Sequence, residues 1–308
     1  MIQKIGVWGA NGFAGEEVVR ILSAKQQVKV VQVSRKQPLE EIVGEIGYAI
    51  LALPENESLK IVPELLGHDI CVIDLSGAFR LQDVAVFEKY YKRSHPCPEY
   101  LDRAVYGLTE KNLEQIRRAS LVANPGCYPT AVELALLPLV EHGLIEPDTR
   151  ILIEAVSGYT GGGKNAKIPD SVKPYEPWRM DRGHQHIPEI EQTLGLNGQI
   201  HFFPHVAPWP RGIEATIKFN IRRRIDIVDL YVKHYSFSAY VRIGLEAKRE
   251  DVVGTNLCLI APKISNQGEV EISVAIDNLG KGAAGQAIQN LIVINPCFGD
   301  KVYESEVF

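Results

Sequence analysis

Cys127 stands in the run Ala123 Asn124 Pro125 Gly126 Cys127 Tyr128 Pro129 Thr130, and the apolar stretch from Ala131 to Val140 behind it has the length and spacing of a buried helix. A thiol there lies at a helix N-terminus, where unpaired backbone N–H groups and the positive end of the helix dipole favour the thiolate. The chemistry such a sulfur performs is covalent catalysis, with Asn124 just upstream as a candidate for touching the substrate. The other four cysteines, Cys71, Cys97, Cys258 and Cys297, read as small buried apolar residues.

A nucleophilic thiol needs a partner that handles protons near neutrality, and His184 Gln185 His186 Ile187 Pro188 Glu189 offers two. In an extended segment these histidines would point to opposite sides, so one at most would face the sulfur. Either His184 or His186 can serve. Glu189 could orient His186 or cap a helix opened by Pro188. No third ligand accompanies the pair, so a metal is not expected.

Two further segments can hold anions. Ser157 Gly158 Tyr159 Thr160 Gly161 Gly162 Gly163 Lys164 combines bare backbone N–H groups with a cation, suited to an anion or to close approach of a cofactor by Ser157 and Gly158. Pro208 Trp209 Pro210 Arg211 Gly212 puts a guanidinium on a rigid turn, fit for a phosphate or a carboxylate. Lys164 and Arg211 are the candidate substrate cations, and which anion each takes stays open. Asp277 Asn278 Leu279 Gly280 Lys281 Gly282 Ala283 Ala284 Gly285 Gln286 forms another glycine-rich helix entrance, whose Asn278 and Gly285 could meet the nicotinamide end of a dinucleotide.

These groups need a scaffold. Lys4 to Trp8 reads as a buried strand, followed by Gly9 Ala10 Asn11 Gly12 Phe13 Ala14 Gly15 and a helical stretch from Glu16 to Ala24. In GxxGxxG, Gly9 makes the tight turn, Gly12 admits a pyrophosphate, and Gly15 brings helix to sheet, with Asn11, Phe13 and Ala14 completing the phosphate loop. A second strand, Val28 to Val33, ends at Ser34 Arg35 Lys36. A hydroxyl and two cations there suit the 2′-phosphate of NADP, whereas NAD calls for an acid. Strands at Ile46 to Leu53, Ile70 to Leu75 before Ser76, and Leu121 to Ala123 alternate with helices, which implies a parallel sheet with ligands at its carboxyl ends, Ser76 among them. Residues 82 to 118 read as surface helices. Beyond about residue 148, Arg150 to Ser157, Ile200 to His205, Glu214 to Ile221 and Glu269 to Ala275 suit an antiparallel sheet with helices on one face. The expectation is an α/β chain: a Rossmann-type doubly wound parallel sheet in residues 1–126 and 282–308, with an α+β catalytic and dimerisation domain in residues 127–281.

Composition narrows the classes. The chain has 308 residues, 45% hydrophobic, enough for two cores, and a net charge of −5 that gives no nucleic-acid footprint. Five cysteines without a CxxC pair point to a reducing compartment. Met1 Ile2 Gln3 Lys4 leads straight into a strand without the regions of a signal peptide, and no apolar stretch approaches the roughly 20 residues of a membrane span. A cytoplasmic protein is expected.

Taken in order, GANGFAG, NPGCYPT, SGYTGGGK, HxHxPEI, PxxAPxxRGI and DNLGKGAAGQA resemble the N-acetyl-γ-glutamyl-phosphate reductases, the arginine-biosynthesis members of the semialdehyde dehydrogenase superfamily. The likeness spans nearly the whole chain and is most specific around Cys127. It implies NADPH-dependent reductive dephosphorylation of a small acyl phosphate, with Cys127 matching the nucleophile, His186 the acid and base, and His184 beside it. A homo-oligomer, dimer or tetramer, is expected, without nucleic-acid or membrane partners. The chain departs from the family pattern at Gln185, where arginine is usual, at Thr109, where proline is common, and in a shortened segment between Lys36 and Gly47. Aspartate-semialdehyde dehydrogenase and the reductase of carrier-bound aminoadipyl phosphate are the alternatives within the superfamily, and a non-catalytic NADP sensor or a Cys–His hydrolase those outside it.

Overall fold

Consecutive apolar residues in the early strands leave no polar face, so both sides must be covered by helices. The computed structural model describes residues 2–34, 37–164, 176–177, 183–223 and 225–299. Its elements are β1 (Gln3–Trp8), α1 (Phe13–Ser23), β2 (Val28–Val33), β3 (Tyr48–Leu51), α2 (Glu55–Gly67), β4 (Cys71–Asp74), α3 (Val84–Tyr91), β5 (Ala104–Tyr106), α4 (Thr109–Ile116) and β6 (Leu121–Ala123). There follow α5 (Cys127–Glu141), β7 (Ile151–Gly158), β8 (Glu176–Pro177), α6 (His186–Leu194), β9 (Ile200–Ala207), β10 (Ile213–Asn220), α7 (Ile227–His234), β11 (Val241–Ile243), β12 (Cys258–Ile264), β13 (Glu269–Ile276) and α8 (Gly285–Ile294). The described residues form two compact units, one of residues 2–126 and 283–299, the other of residues 127–282.

In the first unit six parallel strands form a sheet in the order β2-β1-β3-β4-β6-β5. The order reverses at β1, so a crevice opens at the carboxyl ends of β1 and β3, where ligands of doubly wound sheets bind. Ile5, Val7, Ile50, Ile73 and Val122 pack under α1 and α8, while Trp8, Ala49, Leu51, Val72 and Leu121 pack under α2 and α3 on the other face. The stretch expected to be only surface helices also holds β5, paired with β6. Three residues are too few to show a strand's period.

Buried polar groups tie the carboxyl ends of these strands together. Asp74, fully buried, accepts from Ser58 Oγ at 2.8 Å, Ser76 Oγ at 2.6 Å and the Ser76 N–H at 3.1 Å. Arg80, also buried, donates through Nε to the Asn124 carbonyl at 2.8 Å and through Nη2 to the Leu75 carbonyl at 2.7 Å. Thr109 Oγ1 donates to Asn290 Oδ1 at 2.6 Å and accepts from Gln286 Nε2 at 2.7 Å, two bonds a proline could not make.

The second unit's sheet has the order β11-β12-β13-β10-β7-β9-β8. It is mixed rather than antiparallel, because β7 pairs with β9 and β11 with β12 in parallel. A helical crossover, α6, makes the first of these parallel pairs possible. β10 alternates, with Ile213, Ala215, Ile217 and Phe219 inward and the residues between them turned outward. β12 escapes a reading by pattern because Pro262 interrupts it, two residues past the end of its pairing with β11. The covered face carries α5, buried from Tyr128 to Leu139 and apolar there except at Thr130 and Glu133. Of the cysteines expected to be buried, Cys97 and Cys258 are, Cys71 is half-buried, and Cys297 is exposed.

His95 gives the first unit a pH-sensitive contact. It is buried edge-on to Phe79 and Phe87, donates from Nε2 to the Ala78 carbonyl at 3.0 Å and accepts the Cys97 N–H at Nδ1. Burial holds its pKa below the ordinary 6.5, and a second proton would confront the Cys97 N–H. The unfolded chain therefore binds more protons, and stability falls as pH drops through 6.5. Melting temperature measured against pH should show this fall, with a shallower slope in His95→Gln.

Candidate active site

The helix that starts at Cys127 brings a cluster of rings together. Cys127 is half-buried and the next residue, Tyr128, is buried with its hydroxyl donating to the His205 carbonyl at 2.8 Å. Burial pushes the Tyr128 phenol well above its usual range, so it stays protonated. Its ring centroid lies 6.4 Å from that of His184 and 5.9 Å from that of His186. The imidazoles themselves are 4.7 Å apart, so they share one side rather than diverging. The reason is local: Gln185 has φ −61° and ψ −19°, and α6 begins at His186, not at Pro188. The His186 N–H donates to His184 Nδ1 at 3.2 Å, which leaves the neutral His184 with its proton on Nε2. Glu189, three residues into α6, is buried.

A second cluster gathers around Arg211. Its Nε and Nη2 meet Asp277 at 3.2 and 2.8 Å, and the side chain keeps 24% exposure. Asn278, 2% exposed, accepts the Gly212 N–H at 2.7 Å and donates to Thr160 Oγ1 at 3.0 Å. Its amide is thus tied within the unit at both oxygen and nitrogen. The glycine-rich loop zips onto the same turn: Gly158 N–H donates to the Gly212 carbonyl, Tyr159 N–H to that of Trp209. Ser157 is buried with Oγ on the Gly158 carbonyl, and Lys164 is exposed at the end of this loop.

In the first unit the glycine turn has the geometry a phosphate needs. Gly9 has φ +72° and a Cβ there would lie 2.1 Å from the Ala52 carbonyl oxygen, while one at Gly15 would lie 2.1 Å from that of Gly9. Around Gly12 the nearest atom is 3.4 Å from such a Cβ, and no side chain caps α1. Bare backbone and an uncapped helix N-terminus fit a dinucleotide's pyrophosphate. Asn11 is exposed, Phe13 and Ala14 half-buried, and Ser34 lies exposed just past β2, with no acid beside it in sequence. Arg35 and Lys36 lie outside the described residues. Ser76 is held by Asp74, and Gly285 is buried at the start of α8.

Asn124, expected at the substrate, is fully buried and bonded through its side chain to the Ala283 carbonyl at 3.2 Å and to Asn290 Nδ2 at 3.1 Å. It fastens the chain before Cys127 instead. Tyr128 and Asp277 were overlooked in the sequence although both stand inside singled-out runs; their partners are 56 or more and 66 residues away, beyond any local pattern. Among the described residues no cluster could hold a metal ion and no helix is long and apolar enough to cross a membrane.

Residues 33–119 match the model of the semialdehyde dehydrogenase NAD binding domain and residues 127–278 that of the semialdehyde dehydrogenase dimerisation domain. N-acetyl-gamma-glutamyl-phosphate reductase of Nitrosospira multiformis is 37% identical over 94% of each chain, and that of Methanopyrus kandleri 36% identical over 94% of each. The chain belongs to the N-acetyl-gamma-glutamyl-phosphate reductase family. The family's counterpart from Geobacillus thermodenitrificans is 39% identical, over 93% of this chain and 94% of its own. Among solved structures, aspartate semialdehyde dehydrogenase II of Vibrio cholerae, complexed with ASA, superposes with a TM-score of 0.72 over 96% of this chain and 98% of its own at 18% identity. A probable aspartate-semialdehyde dehydrogenase of Pseudomonas aeruginosa gives 0.70 at 15%, over 96% and 100%. At those identities the likeness carries the fold alone.

Gly282 sets one wall of the surroundings of Cys127. It belongs to a π-helical turn, its N–H donating to the Asp277 carbonyl five residues back, and a Cβ there would lie 2.8 Å from the Cys127 Cβ. Gly282→Ala should therefore displace Cys127 and slow its alkylation by iodoacetamide by about tenfold or more, followed by mass spectrometry, whereas Gly44→Ala, where a Cβ meets nothing within 4 Å, should leave the rate unchanged.

Proposed function

We propose that the chain catalyses the NADPH-dependent reductive dephosphorylation of N-acetyl-γ-glutamyl phosphate to N-acetylglutamate 5-semialdehyde, a step of arginine biosynthesis in the cytoplasm. The observation that carries this reading is a cysteine at the first residue of α5, followed by a tyrosine whose ring packs against two histidines. The names of its curated relatives support the substrate.

The Cys127 thiolate attacks the acyl carbon, the carbon–oxygen bond to phosphate breaks, and a thioester remains on sulfur. Bound NADPH would supply the hydride that takes the acyl group to the aldehyde level. First-turn amides of α5 stabilise the oxygen that becomes negative. His184 presents an N–H at Nε2 and can donate to that oxygen; His186 exchanges the proton as the thiohemiacetal collapses and sulfur leaves. Glu189, buried three residues after His186, is assigned to orient it. Arg211 and Lys164 are the cations for the substrate's phosphate and carboxylate.

The cofactor's pyrophosphate is assigned to the turn from Gly9 to Gly15, with Asn11, Phe13 and Ala14, and its 2′-phosphate to Ser34, Arg35 and Lys36. Ser76, Ser157, Gly158 and Gly285 complete the proposed contacts. The protein is a homo-oligomer, a dimer or tetramer, supported by the match to a dimerisation domain. The uncovered face of the seven-stranded sheet, with Leu152 and Glu154 exposed, is the surface offered for it.

In the reverse direction, N-acetylglutamate 5-semialdehyde, phosphate and NADP should give phosphate-dependent absorbance at 340 nm. Cys127→Ser should lower this rate about a thousandfold or more. Turnover of aspartate semialdehyde in place of this aldehyde would refute the substrate assignment.

A further inference from the structure

The Arg211 guanidinium does not stand alone. Asp277, with no exposed surface, takes four donors: Oδ1 accepts from Arg211 Nε and from the Leu279 N–H at 2.9 Å, Oδ2 from Arg211 Nη2 and from the Gly254 N–H at 2.6 Å. A carboxylate is the only side chain of this size that can accept at both oxygens at once. The next residue grips the backbone of the same turn, since Asn278 Oδ1 holds the Gly212 N–H. On the opposite side Arg249 donates to the Arg211 carbonyl at 3.2 Å and stacks on Trp209 at 4.9 Å. Side chain and backbone of Arg211 are thus fixed together, and its flexible stem loses the freedom an exposed arginine would have. Prior ordering matters for anion capture, because the rotamer entropy is then not charged to binding.

We propose that Asp277 is the positioning residue of a preorganised anion receptor, holding Arg211 by one edge so that the exposed part of the guanidinium is presented to the substrate's phosphate or carboxylate. The proposal rests on the reading of Arg211 as a substrate cation. Asp277 touches neither substrate nor cofactor; it acts through Arg211.

Asp277→Asn is the informative substitution. Both oxygens of Asp277 face two donors each, so either orientation of an amide sets an NH₂ against N–H groups, and the grip on Arg211 loosens. In the reverse reaction the KM for one anionic substrate, phosphate or the aldehyde with its carboxylate, should rise about tenfold or more, with kcat changed less than about threefold and the KM for NADP unchanged. Arg211→Lys, which keeps the charge and loses the two-pronged match, should raise the same KM, and the double variant should be no worse than the poorer single one. That second variant serves if Asp277→Asn does not fold, as judged by circular dichroism. An unchanged anion KM in a folded Asp277→Asn, or in Arg211→Lys, or a loss confined to kcat, would overturn the proposal. Calorimetric titration with inorganic phosphate and with N-acetylglutamate separates it from the proposed reaction: a wild type that binds one anion about tenfold more tightly than Asp277→Asn but turns over no semialdehyde would sink the substrate assignment and leave the receptor standing.

Discussion

A buried polar group must find its partners inside the protein, and Asn124 meets that constraint at all four of its hydrogen-bonding groups. Its N–H donates to the Asp74 carbonyl at 2.8 Å, its carbonyl accepts from Arg80, its Oδ1 from Asn290, and its Nδ2 donates to the Ala283 carbonyl. One residue therefore joins the ends of β4 and β6, the turn carrying Arg80, the entrance to α8 and α8 itself. Each bond is worth about 0.5–1.5 kcal/mol when made and more when one partner is left buried alone. The bonds are mutually dependent, so the ends of the parallel strands behave as one piece rather than as separate loops.

The second unit solves the same problem with a charge. Asp277 is as fully desolvated as Asn124, and its two oxygens meet four donors, two from the Arg211 guanidinium and two from backbone N–H groups. Its neighbour Asn278 is consumed by backbone and by Thr160. Two adjacent polar residues at the end of β13 thereby hold three loops, those around residues 158–160, 208–212 and 254. Preorganisation of this kind is what lets a loop-borne site keep the fixed geometry that catalysis requires.

Where backbone conformation leaves a residue-type signature, the sequence was readable. Gly9, Gly12 and Gly15 fall into three roles because a positive φ, an open face and a close helix approach each forbid or spare a Cβ. Cys127 was readable because the Pro–Gly turn and the apolar run mark a helix start. The order of strands and helices in the first unit followed from their alternation. What stayed hidden was short or non-local. β5 and β11 have three residues each, and Pro262 disguised β12. The histidine pair was given a strand's geometry although one αR residue between them puts both rings on one side. Asn124 and Asn278 looked like ligand contacts because they are polar and lie among glycines; that their side chains bond to distant segments is something no local pattern records.

Pro138 lies inside α5 and cannot donate to the Leu134 carbonyl four residues back. That carbonyl instead accepts the Tyr235 hydroxyl at 2.5 Å, and the Ala135 carbonyl beside it accepts that of Tyr231, also at 2.5 Å. A gap in one helix's ladder has become the keyhole into which the end of α7 fits. Helix propensity alone would favour replacing this proline with alanine, yet the new N–H would share the Leu134 carbonyl, which now accepts the Tyr235 phenol without a ladder bond beside it. The irregularity is thus what fixes the sliding position of one helix along another, a task that an unbroken helix, offering the same face at every turn, performs poorly.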